Sequence, residues 1–289
     1  MYFSIAGFKI CLSGEGEHAL AKGLLPTFGA FCAETADTKP LLTMRVTDSL
    51  RQATEPQAAM DCDTGNGHTL VCQLADGGYQ FAISDTNGRQ CCLLETSSNF
   101  TECKCALSGT TAMRSFGLNN ALMVAFAFAA AGHGAVLMHA SCIINSGHAY
   151  PFIARSGTGK STHSALWQRH IPGTELLNDD NPVIRIIDGK PVAYGSPWSG
   201  KTPCYRNASA TIGAITRISR AESNSIERLT PAQAFASLLP SCSSMKWDKA
   251  VFNSTCDTIT RIVETTPIYN LHCLPNAEAA LLCHDTIAR

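Results

Sequence analysis

The sequence predicts an α/β chain in two parts: a β-rich N-terminal domain over residues 1–112, then an α/β P-loop domain over 113–289. Three observations predict it. The first half carries short apolar runs punctuated by Asp-Gly and Asn-Gly, the dipeptides of hairpin turns. The second half carries one stretch, HAYPFIARSGTGKSTHSALWQRHIPGTELLNDD from 148 to 180, that reads as strand, glycine loop, helix and a strand ending in two carboxylates. A length of 289 residues suits two domains with sizeable cores.

In the first half TLVCQL, YQFAI and QCCLLE are expected strands, separated at Asp76-Gly77 and Asn87-Gly88. TECKCAL alternates strictly, with Thr101, Cys103, Cys105 and Leu107 on one face and Glu102 and Lys104 on the other, the pattern of a half-buried strand. Residues 48–67, rich in Gln, Ala, Thr, Asp and Gly, are read as loop or short helix. Nothing catalytic stands out there, and a structural or partner-recognising role is the simplest reading.

Composition excludes several classes. Lys and Arg (22) nearly balance Asp and Glu (23) with no basic run, which argues against nucleic acid and anionic membranes as partners. The start, MYFSIAGFKICLSGEGEH, lacks a basic segment followed by an apolar one, so the expectation is a cytoplasmic chain whose 14 Cys are reduced. Those Cys have no zinc spacing; Cys91-Cys92 and Cys103/Cys105 read as small apolar strand residues. The apolar run at 121–131 is too short to span a bilayer and predicts a buried helix over 118–131.

A strand GAVLMHASCII then leads through Asn145-Ser146-Gly147 into the strand that feeds the loop. The loop spans Ala154, Arg155, Ser156, Gly157, Thr158, Gly159, Lys160, Ser161 and Thr162, matching G-x-x-x-x-G-K-[ST] with Ala154 in place of the first Gly. In such a loop the glycines let successive N–H groups converge on phosphate oxygens, and the helix over 160–170 aims its positive end at the same anion. Lys160 would then reach the β- and γ-phosphates of ATP, and the Ser161 hydroxyl would join a Mg²⁺ shell. GSPWSGKT, 195–202, matches the pattern without substitution, but Pro197 and Pro203 stand where a loop and a helix should form, so the first match is preferred. Pro151 counts against it, since Pro in a central strand forfeits a ladder bond. Asp179 and Asp180 are candidate base and metal ligand; before Asn181-Pro182 they also suit a solvated turn. Lys201 and Arg206 are candidate cations for a second phosphate or for the acceptor. Thr230-Pro231, residues 245–263 and Pro275-Asn276 mark three further helices.

HASCIINSGHAYPFIARSGTGKSTHSALWQRHIPGTELLNDDNPVIRI, with later segments to residue 289, resembles the P-loop domain of the HPr kinase/phosphorylase-like proteins, related to ATP-dependent phosphoenolpyruvate carboxykinases. The resemblance implies a kinase that moves the γ-phosphoryl group of Mg-ATP to a hydroxyl. It also implies a role for His139 beside the catalytic carboxylate, where a lone His is otherwise an ordinary core residue. By it Asp179 is the base and Asp180 the Mg²⁺ partner; the residues themselves do not rank the two. The loop ends Lys-Ser-Thr where that family has Lys-Ser-Glu, and the family's Gly-rich, Arg-containing C-terminal signature has no counterpart, so the acceptor stays open between a protein or peptide serine and a small molecule. The competing class is a nucleotide-binding sensor or scaffold that turns nothing over. A homo-oligomer is compatible with either.

Overall fold

The structure is a computed structural model describing all residues except 15, 35–38, 54–57, 64–66, 201 and 289. It is a mixed α/β chain with two large sheets, dividing into Met1–Ala129 and Ala130–Arg289. The sequence had suggested a division after residue 112. The difference is the long helix between, most of which belongs with the first unit.

The first unit contains β1 (Tyr2–Ile5), β2 (Phe8–Ser13), α1 (Glu17–Leu24), β3 (Cys32–Ala33), β4 (Leu42–Thr47), β5 (Ala58–Asp63), β6 (His68–Gln73), β7 (Tyr79–Ser84), β8 (Gln90–Thr96), β9 (Glu102–Leu107) and α2 (Thr111–Ala131). Its strands form one sheet in the order β3-β1-β2-β4-β9-β8-β7-β6-β5. The expected strands are present, and β9 buries Cys103 and Cys105 while exposing Glu102 and Lys104. Burial pushes the Cys103 thiol up to about 12, so it behaves as an apolar side chain. Two readings need correction. Within 48–67, residues 58–63 are neither loop nor helix but β5, in unbroken antiparallel register with β6; pairing overrides a weak local propensity. The remaining part of that stretch lies partly outside the described residues. Helix α2 begins at Thr111, not at 118. Gly117 hid its first turns, yet it is needed where the helix crosses β8: a Cβ there would stand 2.7 Å from the Cys91 carbonyl oxygen. Phe126 and Phe128 pack on Phe8 and Phe100, so the apolar run is a buried helix face. Among the described residues no helix is long and apolar enough to cross a membrane.

The second unit runs β10 (Ala135–Leu137), β11 (Ala140–Asn145), β12 (His148–Ile153), α3 (Lys160–His170), β13 (Glu175–Asp180), β14 (Val183–Ile187), β15 (Lys190–Tyr194), β16 (Ser209–Ile212), β17 (Ile215–Arg220), β18 (Ser225–Arg228), α4 (Pro231–Leu238), α5 (Lys249–Thr265), β19 (Ile268–Cys273) and α6 (Ala277–Ile287). The sheet order is β10-β14-β15-β16-β12-β17-β19-β18, with β11 between β12 and β13. Alternation along β12 makes a three-layer core. Tyr150 and Phe152 pack with Trp167 of α3 and Ala280 of α6, whereas Ala149 and Ile153 pack with Leu238 of α4 and Ile259 of α5. The three C-terminal helices start on side-chain caps, from Thr230, Asp248 and Asn276. The expected strand 134–144 is instead two, broken at Met138 and His139: the Met138 N–H still follows the β10–β14 register to Pro182 O, whereas the His139 N–H turns to Ser241 O. Pro151 falls between Ala149, paired to β16, and Phe152, paired to β17, so that ladder has no rung for its missing N–H to break.

Helix α3 is fixed by its buried side. The Trp167 indole donates to His163 Nε2 at 3.0 Å, and Phe152 meets the imidazole edge-on at 4.7 Å between centroids. Burial lowers the His163 pKa from 6.5 to about 4. A proton on Nε2 would also face the indole N–H. The unfolded chain therefore takes up a proton near pH 6.5 that the folded chain refuses until about 4. This contribution is complete above pH 6.5 and is lost as pH falls towards 4, by about 3 kcal/mol. His163→Gln, which keeps an acceptor but cannot titrate, is expected to remove most of that slope. Denaturant titrations of parent and variant at pH 7 and pH 4.5 check this; parallel losses would mean that another group carries the dependence.

Candidate functional site

Antiparallel pairing on both sides of β11 builds the site. Because β12 and β13 each run against β11, they run parallel to each other and finish at one sheet edge. Ala140 has Ile153 as partner on one side and Asp180 on the other. The loop after Ile153 and the two carboxylates thus stand two strand spacings apart, about 10 Å, with His139 entering between them.

At residue 154 the chain leaves β12 and re-enters helix at Lys160. Gly157 and Gly159 have φ of 74° and 129°, values that side chains with a Cβ seldom adopt. A Cβ at either would meet nothing within 4 Å, so the requirement is conformational and the space in front of the loop is open. Arg155, Ser156, Ser161 and Thr162 are exposed, and Ala154 is partly buried in the core. Helix α3 has no side-chain cap at Gly159, while Arg169 and His170 lie in its last turn. Arg220, at the end of β17, donates to Thr158 O (3.1 Å) and Gly157 O (2.5 Å). Since C=O and N–H point oppositely across a trans peptide, this turns the Gly159 N–H away from Arg220.

Five side chains meet where β11, α3 and β13 converge. Lys160 Nζ lies 2.9 Å from His139 Nε2 and 3.4 Å from Ala154 O. The same Nε2 lies 3.1 Å from Asp180 Oδ1. Ser161 Oγ donates to Asp179 Oδ1 at 2.8 Å. Asp179 is 3% exposed, and its Oδ2 is buried with no hydrogen-bond partner among the described residues, a deficit that a cation or donor would make good. Burial holds the Lys160 pKa below its usual value, opposed by the charges of Asp180 and Asp179. The contacts on His139 Nε2 demand opposite protonation states: a lone pair towards the ammonium, a proton towards the carboxylate. A proton at this nitrogen therefore has a donor on one side and an acceptor on the other.

Asp180 departs from the extended backbone expected of a strand end. Its φ is 129°, a conformation costing about 1–3 kcal/mol in a non-glycine residue. The two carboxylates consequently have different neighbours, Ser161 for Asp179 and His139 for Asp180.

Of the residues singled out in the sequence, His139, Lys160, Ser161, Asp179 and Asp180 are brought together. The pairing is not the expected one, since His139 meets Asp180 and not the Asp179 named as base. Arg206 is not at the site. Its guanidinium binds Leu176 O (2.9 Å) and Glu175 (2.7 Å) at the start of β13, roughly 15 Å from the carboxylate end. Lys201 lies outside the described residues. The segment 195–202 is followed by no helix; the next element is β16. Among the described residues no group of three or more His, Cys, Asp or Glu could hold a metal ion. Sequence reading missed Arg220, Asn178 and Ser196, for which no local signal exists.

No protein-family model and no curated protein matches the chain. Among solved structures it is similar to the Hpr(Ser) kinase/phosphatase from Coxiella burnetii, with 10% identity, 53% of this chain and 88% of that chain covered, and a TM-score of 0.33. That likeness is too slight to fix an activity.

Proposed function

We propose that this chain is a phosphotransferase that moves the γ-phosphoryl group of ATP, with Mg²⁺, to a hydroxyl of a protein, peptide or small molecule. One observation carries the reading: His139 Nε2 stands between Lys160 Nζ and Asp180 Oδ1, beside the uncapped start of α3. A module that only held nucleotide would use the glycine loop, the helix start and Lys160. A carboxylate held against an imidazole adds nothing to holding.

In this reading the loop of 154–159 and the first turn of α3 offer N–H groups to the phosphates, and Lys160 places charge where negative charge builds. Asp180 Oδ1 takes the acceptor's O–H proton as that oxygen bonds to the γ-phosphorus. The bond from γ-phosphorus to the β–γ bridging oxygen breaks, and ADP leaves. His139 orients the Asp180 carboxylate before the transfer and shares its proton afterwards. Ser161 Oγ and the partnerless Asp179 Oδ2 suit Mg²⁺, which would offset phosphate charge there. The assignment thus gives Asp180 to the base and Asp179 to the metal, the reverse of what the family resemblance implies.

The test uses γ-labelled ATP, Mg²⁺ and a cell extract. Label is expected on a discrete acceptor, and not when Lys160→Ala replaces the parent. Nucleotide binding without label transfer or hydrolysis above that control would leave a binding module.

A further inference from the structure

We infer that Asn178, Ser199 and Gly200 are positioning residues that set the direction of the Asp180 carboxylate, an inference that rests on the phosphotransferase reading above. Asp180 has a φ of 129°, well beyond the left-handed region at about +60° that Asp tolerates, so something outside it imposes the conformation. The fully buried Asn178 side chain ties down both flanks. Its Oδ1 accepts the Asn181 N–H at 2.9 Å, and its Nδ2 lies 3.2 Å from both Ser196 Oγ and Trp198 O. Ser196 Oγ in turn donates to Asn181 O at 2.6 Å. The chain before and after the two carboxylates is therefore fastened to one buried amide.

The segment 198–200 closes the arrangement from the front. Ser199 bridges Asp180 through the backbone, its Oγ lies 3.0 Å from Asp179 O, and the Gly200 N–H donates to the same carbonyl. Gly200 is glycine for close approach. Its φ lies outside the left-handed range, but a Cβ would stand 3.1 Å from Asp180 Cβ, 3.3 Å from Asp180 Cγ and 3.2 Å from Asp179 O, tighter than ordinary contact. What these contacts produce is one carboxylate with two assigned oxygens. Oδ1 meets His139 Nε2 at 3.1 Å, and Oδ2 receives Asn181 Nδ2 at 2.9 Å.

The experiment adds the missing methyl. Gly200→Ala should keep the parent melting temperature within a few degrees and move the His139 ring ¹⁵N signal of the nucleotide-free protein in the direction that Asp180→Ala moves it. At saturating Mg-ATP its transfer rate should fall roughly tenfold, as expected when a reacting group shifts by less than an ångström, with Mg-ATP affinity unchanged. If Gly200→Ala does not fold, Ser199→Ala is read in the same way. An unmoved imidazole signal overturns the inference, as does a rate loss matched by a loss of affinity. If the parent itself proves inactive the phosphotransferase reading fails, while the imidazole signal still decides whether this segment directs Asp180.

Discussion

Asp180→Asn is expected to bind Mg-ATP with near-parent affinity and to transfer its phosphoryl group about 10²–10⁴-fold more slowly, the usual contribution of a positioned base. The variant suits the site, because Asn matches Asp in shape and in its tolerance of positive φ, and the surrounding contacts that hold the 129° backbone of Asp180 are unchanged. Its amide retains an oxygen for Asn181 Nδ2, which now bonds Oδ2, but it cannot take a proton from the acceptor hydroxyl. Asp179→Asn is the companion. It preserves the acceptor for Ser161 and removes charge from the buried carboxylate, so it should raise the Mg²⁺ concentration needed for nucleotide binding. Calorimetric titration of Mg-ATP, with single-turnover transfer measured beside it, separates the two. Should Asp180→Asn transfer at the parent rate while Asp179→Asn binds but does not transfer, the roles run the other way.

How much of this was legible depended on whether the rule was local. Gly157, Gly159 and Lys160 obey backbone rules that act within a few residues, and α3 spans Lys160–His170 as the sequence reads it. The starts of α4 and α6 were legible for the same reason, since a cap is a contact across three residues. The meeting of His139 with Asp180 is not local. It depends on β11 lying between β12 and β13, with a register shift at Cys142/Ile143, and no periodicity in one strand specifies its offset from another. Which carboxylate faces the imidazole depends further on contacts from 196–200. Arg206 failed for a related reason: its distance along the chain from the carboxylates said nothing about which end of β13 it would reach. Strand β5 was illegible because its composition favours no element and its partner supplies the order.

Lys160→Ala is expected to weaken Mg-ATP binding and to slow transfer by at least about 10²-fold, the cost of losing one preorganised charge-stabilising donor. The ammonium is already in place before any nucleotide arrives, 91% buried as a residue and held between His139 Nε2 and Ala154 O. Burial disfavours its charge and the charges of Asp180 and Asp179 offset part of that, at the edge where the phosphates would bring further negative charge. Removing it leaves two carboxylates facing that charge alone. Lys160→Met retains most of the apolar stem and should behave like Lys160→Ala, which separates charge from packing. Lys201→Ala is the matched control, because GSPWSGKT satisfies the loop pattern but is followed by no helix. It should leave Mg-ATP affinity unchanged. If Lys201→Ala abolishes binding and Lys160→Ala titrates like the parent, the nucleotide is seated on the other segment, and the glycine loop with α3 is only a structural crossover between two strands.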